Sequence, residues 1–136
     1  MADIWSATSY KELRREALAA ERWNLLHPGQ APRVPYVTQV LAETPGPVVA
    51  VTDYLKLVPD QIARWVPQGF YPLGTDGFGR SDSRKRLRRF FEVDAESIAL
   101  AVLSQLARRG EVDRDLPVRA LAKLEIDPEK PDPIRA

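Results

Sequence analysis

Few side chains in this sequence could do acid–base or nucleophilic chemistry. His27 is the only histidine, so it is the only ordinary general base near neutral pH. It lies in a proline-rich segment with no serine visibly paired to it, which favours a structural or solvent-exposed role. Asp53 and Asp76 follow predicted strands, and carboxylates at the carboxyl ends of parallel strands often contact ligands. Capping or turn formation explains two isolated aspartates better.

A glycine-rich segment covers residues 74–83 and lies between a predicted strand and a predicted helix. Gly74, Gly77 and Gly79 in that context are compatible with a phosphate-binding loop. The spacing is neither GxGxxG nor GxxxxGK[ST], so the motif is weak. The favoured interpretation is a tight connection in which glycines supply positive φ and Ser81 and Ser83 cap the helix.

A basic segment at residues 80–89 follows directly. Its six cations stand against a single acid, Asp82, which gives +5, whereas the whole chain has a net charge of +1. The rest of the chain is therefore negative, which argues against nucleic-acid binding. A solvated helix face is the usual explanation for such a run. The alternative is an anion-binding or protein-interaction module at residues 74–89, with contacts from Arg80, Ser81, Ser83, Arg84, Arg86 and Arg89.

Composition excludes several other classes of protein. The chain has 136 residues, 44% hydrophobic, which fits one domain at residues 1–136 with a real core. No cysteine is present, so there is no disulfide framework, cysteine nucleophile or thiolate metal site. No apolar run is long enough for a membrane-spanning helix, and the start lacks a signal-peptide core. We therefore expect a cytoplasmic protein with no membrane or nucleic-acid partner.

The elements that must position these residues alternate between strands and helices. A first strand is predicted within residues 1–8, at 4–8, then alternating helices and strands over 9–126 and a loose tail at 127–136. Further strands are predicted at 48–52 and 70–73. Helices are predicted at 9–22, 36–41, 55–66 with Pro59 as a break or start, 84–91, 95–109 after Asp94, and from Pro117. This order predicts an α/β domain with a small, mainly parallel sheet and flanking helices.

The segments ERWNLLHPGQAPRVPYVTQVL, PVVAVTDYLKLVPDQIARWVP and the stretch from Leu73 onward resemble one family closely. It is the homodimeric, bacterial type of pyruvate dehydrogenase decarboxylating component, a thiamine-diphosphate enzyme related to transketolase. The most specific pieces are LGTDGFGRSDSR at 73–84 and FFEVDA at 90–95. The resemblance implies a three-layer transketolase C-terminal-like domain, truncated at its N-terminus, with Met1 an introduced start.

In that family, thiamine diphosphate held through Mg²⁺ attacks the keto carbon of pyruvate, and the acetyl group passes to the lipoyl group of the acyltransferase component. The resemblance places the catalytic, cofactor and metal residues in other domains, so none is assigned here and no cofactor is expected on this chain. The implied partners are the remaining domains, the second subunit and the lipoyl acyltransferase component. The chain alone is expected to be inactive and architectural, with an open sheet edge that favours self-association.

Overall fold

The computed structural model describes residues 2–136 and shows helices around a small sheet. The α/β fold class predicted from the sequence is confirmed. The elements are α1 (Tyr10–Leu26), α2 (Tyr36–Leu41), β1 (Val48–Val51), α3 (Leu57–Asp60), a 3₁₀ helix (Ala63–Trp65), β2 (Phe70–Leu73), α4 (Arg84–Phe90), α5 (Ala95–Arg108) and α6 (Leu116–Lys123).

The sheet consists of β1 and β2, which pair in parallel. Val48 lies opposite Phe70, and Val51 lies opposite Leu73. The Thr52 amide extends the ladder by donating to the Leu73 carbonyl at 3.0 Å. Parallel strands cannot be joined by a tight hairpin, so the chain crosses over through α3 and the 3₁₀ helix.

Helices cover both faces of this sheet and produce three layers. Val48 and Phe70 pack against a buried cluster contributed by α1, α2 and the 3₁₀ helix: Ala17, Val37, Leu41, Ile62, Trp65 and Val66. Tyr71 and Leu73 point to the other face, because side chains alternate along a strand. There they line one cavity together with α5, which also packs against α6.

Local sequence signals explain where the principal helices begin and end. The Ser9 hydroxyl accepts from the Glu12 amide at 3.3 Å and caps α1, as predicted. Asp94 caps α5 by accepting from the Ser97 amide at 3.0 Å. The predicted C′ glycine, Gly110, has φ of +73°, and its backbone ends the same helix.

The predicted first strand at 4–8 is wrong. Residues 2–8 form no strand, and Ile4 is 98% exposed; Met1 lies outside the described residues. Strand-forming residue types at 4–8 make a strand only when a neighbour supplies ladder hydrogen bonds. In the part of the chain that the structure describes, β1 and β2 pair only with each other.

Two predicted helix boundaries also shift. The helix predicted over 55–66 divides into α3 and the 3₁₀ helix, and Pro59 lies in the first turn of α3, where its missing amide proton is tolerated. Helix α1 continues to Leu26 instead of ending near Arg22. In its last turn, the Asn24 side chain exchanges two hydrogen bonds with the Arg33 backbone and folds the following proline-rich loop back.

The tail at 127–136 is anchored, which corrects the prediction of a loose segment. The Lys130 ammonium donates to the carbonyls of Arg89 at 3.0 Å and Phe90 at 2.6 Å. Pro133 is buried, and its carbonyl lies against Gly77. Charged hydrogen bonds and a glycine contact therefore offset the low packing propensity of a proline-rich sequence.

Gly77→Ala tests the contact between the glycine-rich loop and the tail. Gly77 has φ of +118°, and an added Cβ would lie 2.9 Å from the Pro133 carbonyl carbon and closer still to its oxygen. We expect the free energy of unfolding to fall by about 1–3 kcal/mol in urea denaturation.

Gly79→Ala is the matched control in the same loop. A Cβ there meets no atom within 4 Å, and its φ is outside the left-handed region. Its effect should stay within about 0.5 kcal/mol. Equal losses for the two variants would contradict a specific contact between Gly77 and the tail.

Candidate functional site

The six residues predicted as anion or partner contacts surround α4 but do not form one site. Arg80 lies over the ring of Phe90, with its guanidinium carbon 4.0 Å from the ring centroid. The Ser83 hydroxyl accepts from the Arg86 amide at 3.4 Å and caps α4, as predicted. Ser81 does not cap the helix, because α4 begins at Arg84 and Ser83 occupies the N-cap position.

A shallow cavity of about 270 Å³ gathers three of the six. It is lined by Arg80, Ser81, Asp82, Arg86, Leu87 and Phe90. Arg86 also lies 3.9 Å from the Asp82 carboxylate, which lowers the positive potential in the cavity. Arg84 is exposed outside this cavity.

Arg89 makes its contacts inside the chain. Its guanidinium forms an ion pair with Asp94 at 3.1 Å and is 34% exposed. It also donates to the Leu124 carbonyl at 3.0 Å and to the Glu125 carbonyl, both at the end of α6. The first of these bonds satisfies the carbonyl of the C-cap residue of α6, which has no partner within the helix, and the second holds the residue that follows it.

Lys130 binds carbonyls at the end of α4 in the same way, and this contact was not predicted from the sequence. Its ammonium binds the last carbonyls of α4 and pairs with Glu92 at 3.2 Å. Glu92 and Glu125 stand at the C′ positions of α4 and α6 with φ of +61° and +53°. The backbone still closes both helix ends in the glycine manner, since the Val93 amide donates to the Arg88 carbonyl and the Ile126 amide to the Leu121 carbonyl, so nothing local in the sequence pointed to Lys130.

Asp94 connects this helix-end network to α5. Burial raises the pKa of the Asp94 carboxyl, but hydrogen bonds from Ser97 and the Arg89 guanidinium outweigh burial and leave that pKa below its ordinary value. Asp94 is therefore charged in the folded protein at neutral pH, and its role is to cap α5 and to hold Arg89.

The glycine-rich segment is packed against the chain itself. A Cβ at Gly74 would lie 2.6 Å from the Tyr54 carbonyl oxygen, and Gly77 adjoins the tail. Asp76 accepts from the Lys56 amide at 3.3 Å, and the Asp53 carbonyl accepts from the Thr75 hydroxyl at 2.9 Å. These contacts support the interpretation as a tight connection instead of a phosphate-binding loop.

His27 has a structural environment. Its ring stacks on Trp23 at 4.4 Å, and Nδ1 lies 2.8 Å from the Trp23 carbonyl oxygen. Arg33 lies over the same indole at 4.2 Å. These contacts agree with the structural role favoured from the sequence.

Within residues 2–136, no group of three or more histidine, aspartate or glutamate side chains is arranged to hold a metal ion. None of the described helices has the length and apolar character that crossing a membrane requires.

Comparison with known families decides where this chain belongs. The family model described as "Transketolase-like TK C-terminal domain" matches residues 1–94. The chain belongs to the transketolase-like C-terminal domain family. The family match covers the two strands and α1 to α4, so the glycine-rich segment and the basic helix lie within it.

Curated relatives match a longer part of this chain than the family model does. The "Pyruvate dehydrogenase E1 component" of Pseudomonas aeruginosa is 56% identical over 134 residues, 98% of this chain. Proteins of the same name from Escherichia coli K12 and Mycobacterium tuberculosis are 51% and 50% identical over 96% and 93% of it. The chain spans only about 15% of the length of the first of these relatives. The segments that form α5 and α6 lie beyond residue 94, where the family model ends, but within the 98% of this chain that the Pseudomonas aeruginosa relative matches.

Asp94→Asn tests the ion pair with Arg89 through pH. An aspartate whose pKa is lowered by folding contributes stability above its ordinary pKa and loses it as pH falls through the folded value. Asparagine keeps the N-cap acceptor but removes the charge. We expect a loss of about 1 kcal/mol at pH 7 that diminishes at acid pH, as the pH falls through the lowered pKa of Asp94 in the folded protein, measured by urea denaturation.

Asp82→Asn is the control, because its pair with Arg86 is longer, at 3.9 Å, and exposed. This variant should change the free energy of unfolding by less than about 0.5 kcal/mol at either pH. A loss for Asp94→Asn that persists unchanged at low pH would assign the effect to capping and not to the ion pair.

Proposed function

We propose that this chain is the carboxyl-terminal part of a pyruvate dehydrogenase decarboxylating component. The observation that carries the proposal is the match to proteins of that name at 56% and 51% identity over nearly the whole chain. The match covers about 15% of the length of these proteins, which supports the assignment of this chain to one domain within a much longer enzyme. In the complete enzyme, pyruvate would be decarboxylated and its two-carbon unit passed on.

The part played by this chain is architectural. Val51 and Tyr71 are 40% and 39% exposed, although they belong to the two strands of the sheet. Further large apolar side chains are exposed just beyond β1, at Tyr54, Leu55 and Leu57. Exposed apolar surface of this kind is usual where other parts of a protein pack. We assign these surfaces to contacts with the remaining domains.

The residues described here do not fit thiamine diphosphate and Mg²⁺. Gly74 and Gly77 are covered by the chain's own backbone, and Asp76 accepts a backbone hydrogen bond. No step of the cofactor's chemistry is assigned to this chain. The proposal places the cofactor, which supplies an electron sink when bound, in other parts of the enzyme.

The same assignment leads to a proposal about the location, subunits and partner of the complete enzyme. We propose that the complete enzyme is a cytoplasmic homodimer and delivers the acetyl group to a lipoyl acyltransferase component. The family membership and the names of the relatives support this setting.

A chimera tests the proposal directly. The segment of the Pseudomonas aeruginosa enzyme that matches this chain is replaced by the corresponding 134 residues of this chain, and decarboxylation of pyruvate is measured with added thiamine diphosphate and Mg²⁺. We expect turnover within about tenfold of the unmodified enzyme, since a tenfold change corresponds to 1.4 kcal/mol in the barrier.

The control is the same chimera carrying Trp65→Ala, which removes a buried core side chain. That variant should lose assembly and activity together, because large-to-small core substitutions cost about 3–5 kcal/mol. Decarboxylation by the isolated chain would contradict an architectural role. So would a correctly assembled chimera that had lost all activity.

A further inference from the structure

The tail at residues 127–136 is held to the rest of the chain at two points. At the first, the Lys130 ammonium donates to the last two carbonyls of α4 and pairs with the Glu92 carboxylate at 3.2 Å. At the second, the Pro133 carbonyl lies against Gly77. The first contact depends on one charged group, and the second depends on the absence of a side chain at the glycine.

Lys130 supplies all of the hydrogen bonds that join the tail to other elements within residues 2–136. The remaining hydrogen bonds of the tail are internal; for example, the Arg135 amide donates to the Asp132 carbonyl at 2.9 Å. Parts of a fold that are held by few long-range contacts open at a lower free energy than the core. The Lys130 ammonium is therefore the group on which attachment of the tail depends.

Glu92 supports Lys130 at a cost in backbone conformation. Its φ of +61° lies in the left-handed region, which glycine adopts freely and other residues adopt rarely. A glycine at this position would end α4 in the same way, but it would provide no carboxylate for Lys130. A residue kept in a costly conformation indicates that its side chain has a role. We assign to the Glu92 carboxylate the role of orienting the ammonium.

The tail also borders a cavity of about 330 Å³ between β2 and α5. Asp127, Pro128 and Lys130 line the cavity from the side of the tail. Leu73 of β2 and Ala101 of α5 line it as well, and both of these apolar residues are buried. When the tail moves away, the cavity loses three of its lining residues and opens further to solvent.

We propose that the tail is a lid over this cavity and that the charge of Lys130 holds the lid closed. The ammonium makes three charge-assisted hydrogen bonds, a class that is about twice as strong as neutral hydrogen bonds. An apolar side chain at this position makes none, so the lid opens while the sheet and the core around Trp65 stay folded. The inference does not depend on the proposed enzymatic function.

Trypsin cleavage in α4 measures whether the lid is open, because cleavage after Arg88 or Arg89 requires the last turn of this helix to unfold locally. The full 136-residue chain is digested under native conditions, and the cleavage sites are identified by mass spectrometry. In Lys130→Met, we expect cleavage after Arg88 and Arg89 to be about tenfold faster than in the wild type. Cleavage after Arg14 and Arg15 of α1 should change by less than about twofold, because the core keeps α1 folded.

Lys123→Met is the matched control. Lys123 lies in the last turn of α6, it is exposed, and it forms no ion pair within residues 2–136. This variant removes one lysine and one trypsin site, as Lys130→Met does. It should leave cleavage in α4 within about twofold of the wild type, because it does not touch the tail.

The hydrophobic dye ANS provides a second readout, because an open lid exposes apolar side chains of the cavity. Dye fluorescence should rise in Lys130→Met and stay unchanged in Lys123→Met. The proposal would be overturned by unchanged cleavage in α4 or unchanged dye fluorescence in Lys130→Met, or by an equal rise in the control. It would also be overturned if cleavage in α1 rose as much as cleavage in α4, since the tail would then be part of the folding core.

Discussion

The parallel pairing of β1 with β2 is the constraint on which the rest of the structure depends. Four residues from each strand form the ladder, and a pair this small is not stable without helices packed against it. Parallel pairing also requires a crossover connection, which α3 and the 3₁₀ helix supply. The cluster around Ala17 and Trp65 on one face and α5 on the other follow from the need to cover both sides of the sheet.

In the carboxyl half of the chain, two cationic side chains bind carbonyls at the ends of α4 and α6 that lack a partner within their own helix. Arg89 extends from α4 to the end of α6, and Lys130 extends from beyond α6 to the end of α4. Each cation therefore stabilises the helix to which it does not belong. Among the cations of α4 only Arg89 takes part in this exchange, and the other four, Arg84, Lys85, Arg86 and Arg88, are exposed.

The elements predictable from sequence are those whose signals are local. The apolar run at 48–51, the cap at Asp94 and the glycine at 110 each act within a few residues, and each prediction matched the structure. The strand at 4–8 and the loose tail were wrong because their outcome depends on distant partners. The same limit applies to the candidate contacts, since only tertiary structure distinguishes the engaged Arg89 from the outward Arg84.

The crossed capping by Arg89 and Lys130 also bears on how this half of the domain opens. When the tail moves away, the last carbonyls of α4 lose their partner, and fraying of α4 then withdraws Arg89 from α6. We therefore expect the two helices and the tail to open as one cooperative unit, with amides that exchange with solvent together. The proline-rich tail has little secondary structure, yet it binds α4, a helix distant from it in sequence, and through Arg89 it is linked to α6.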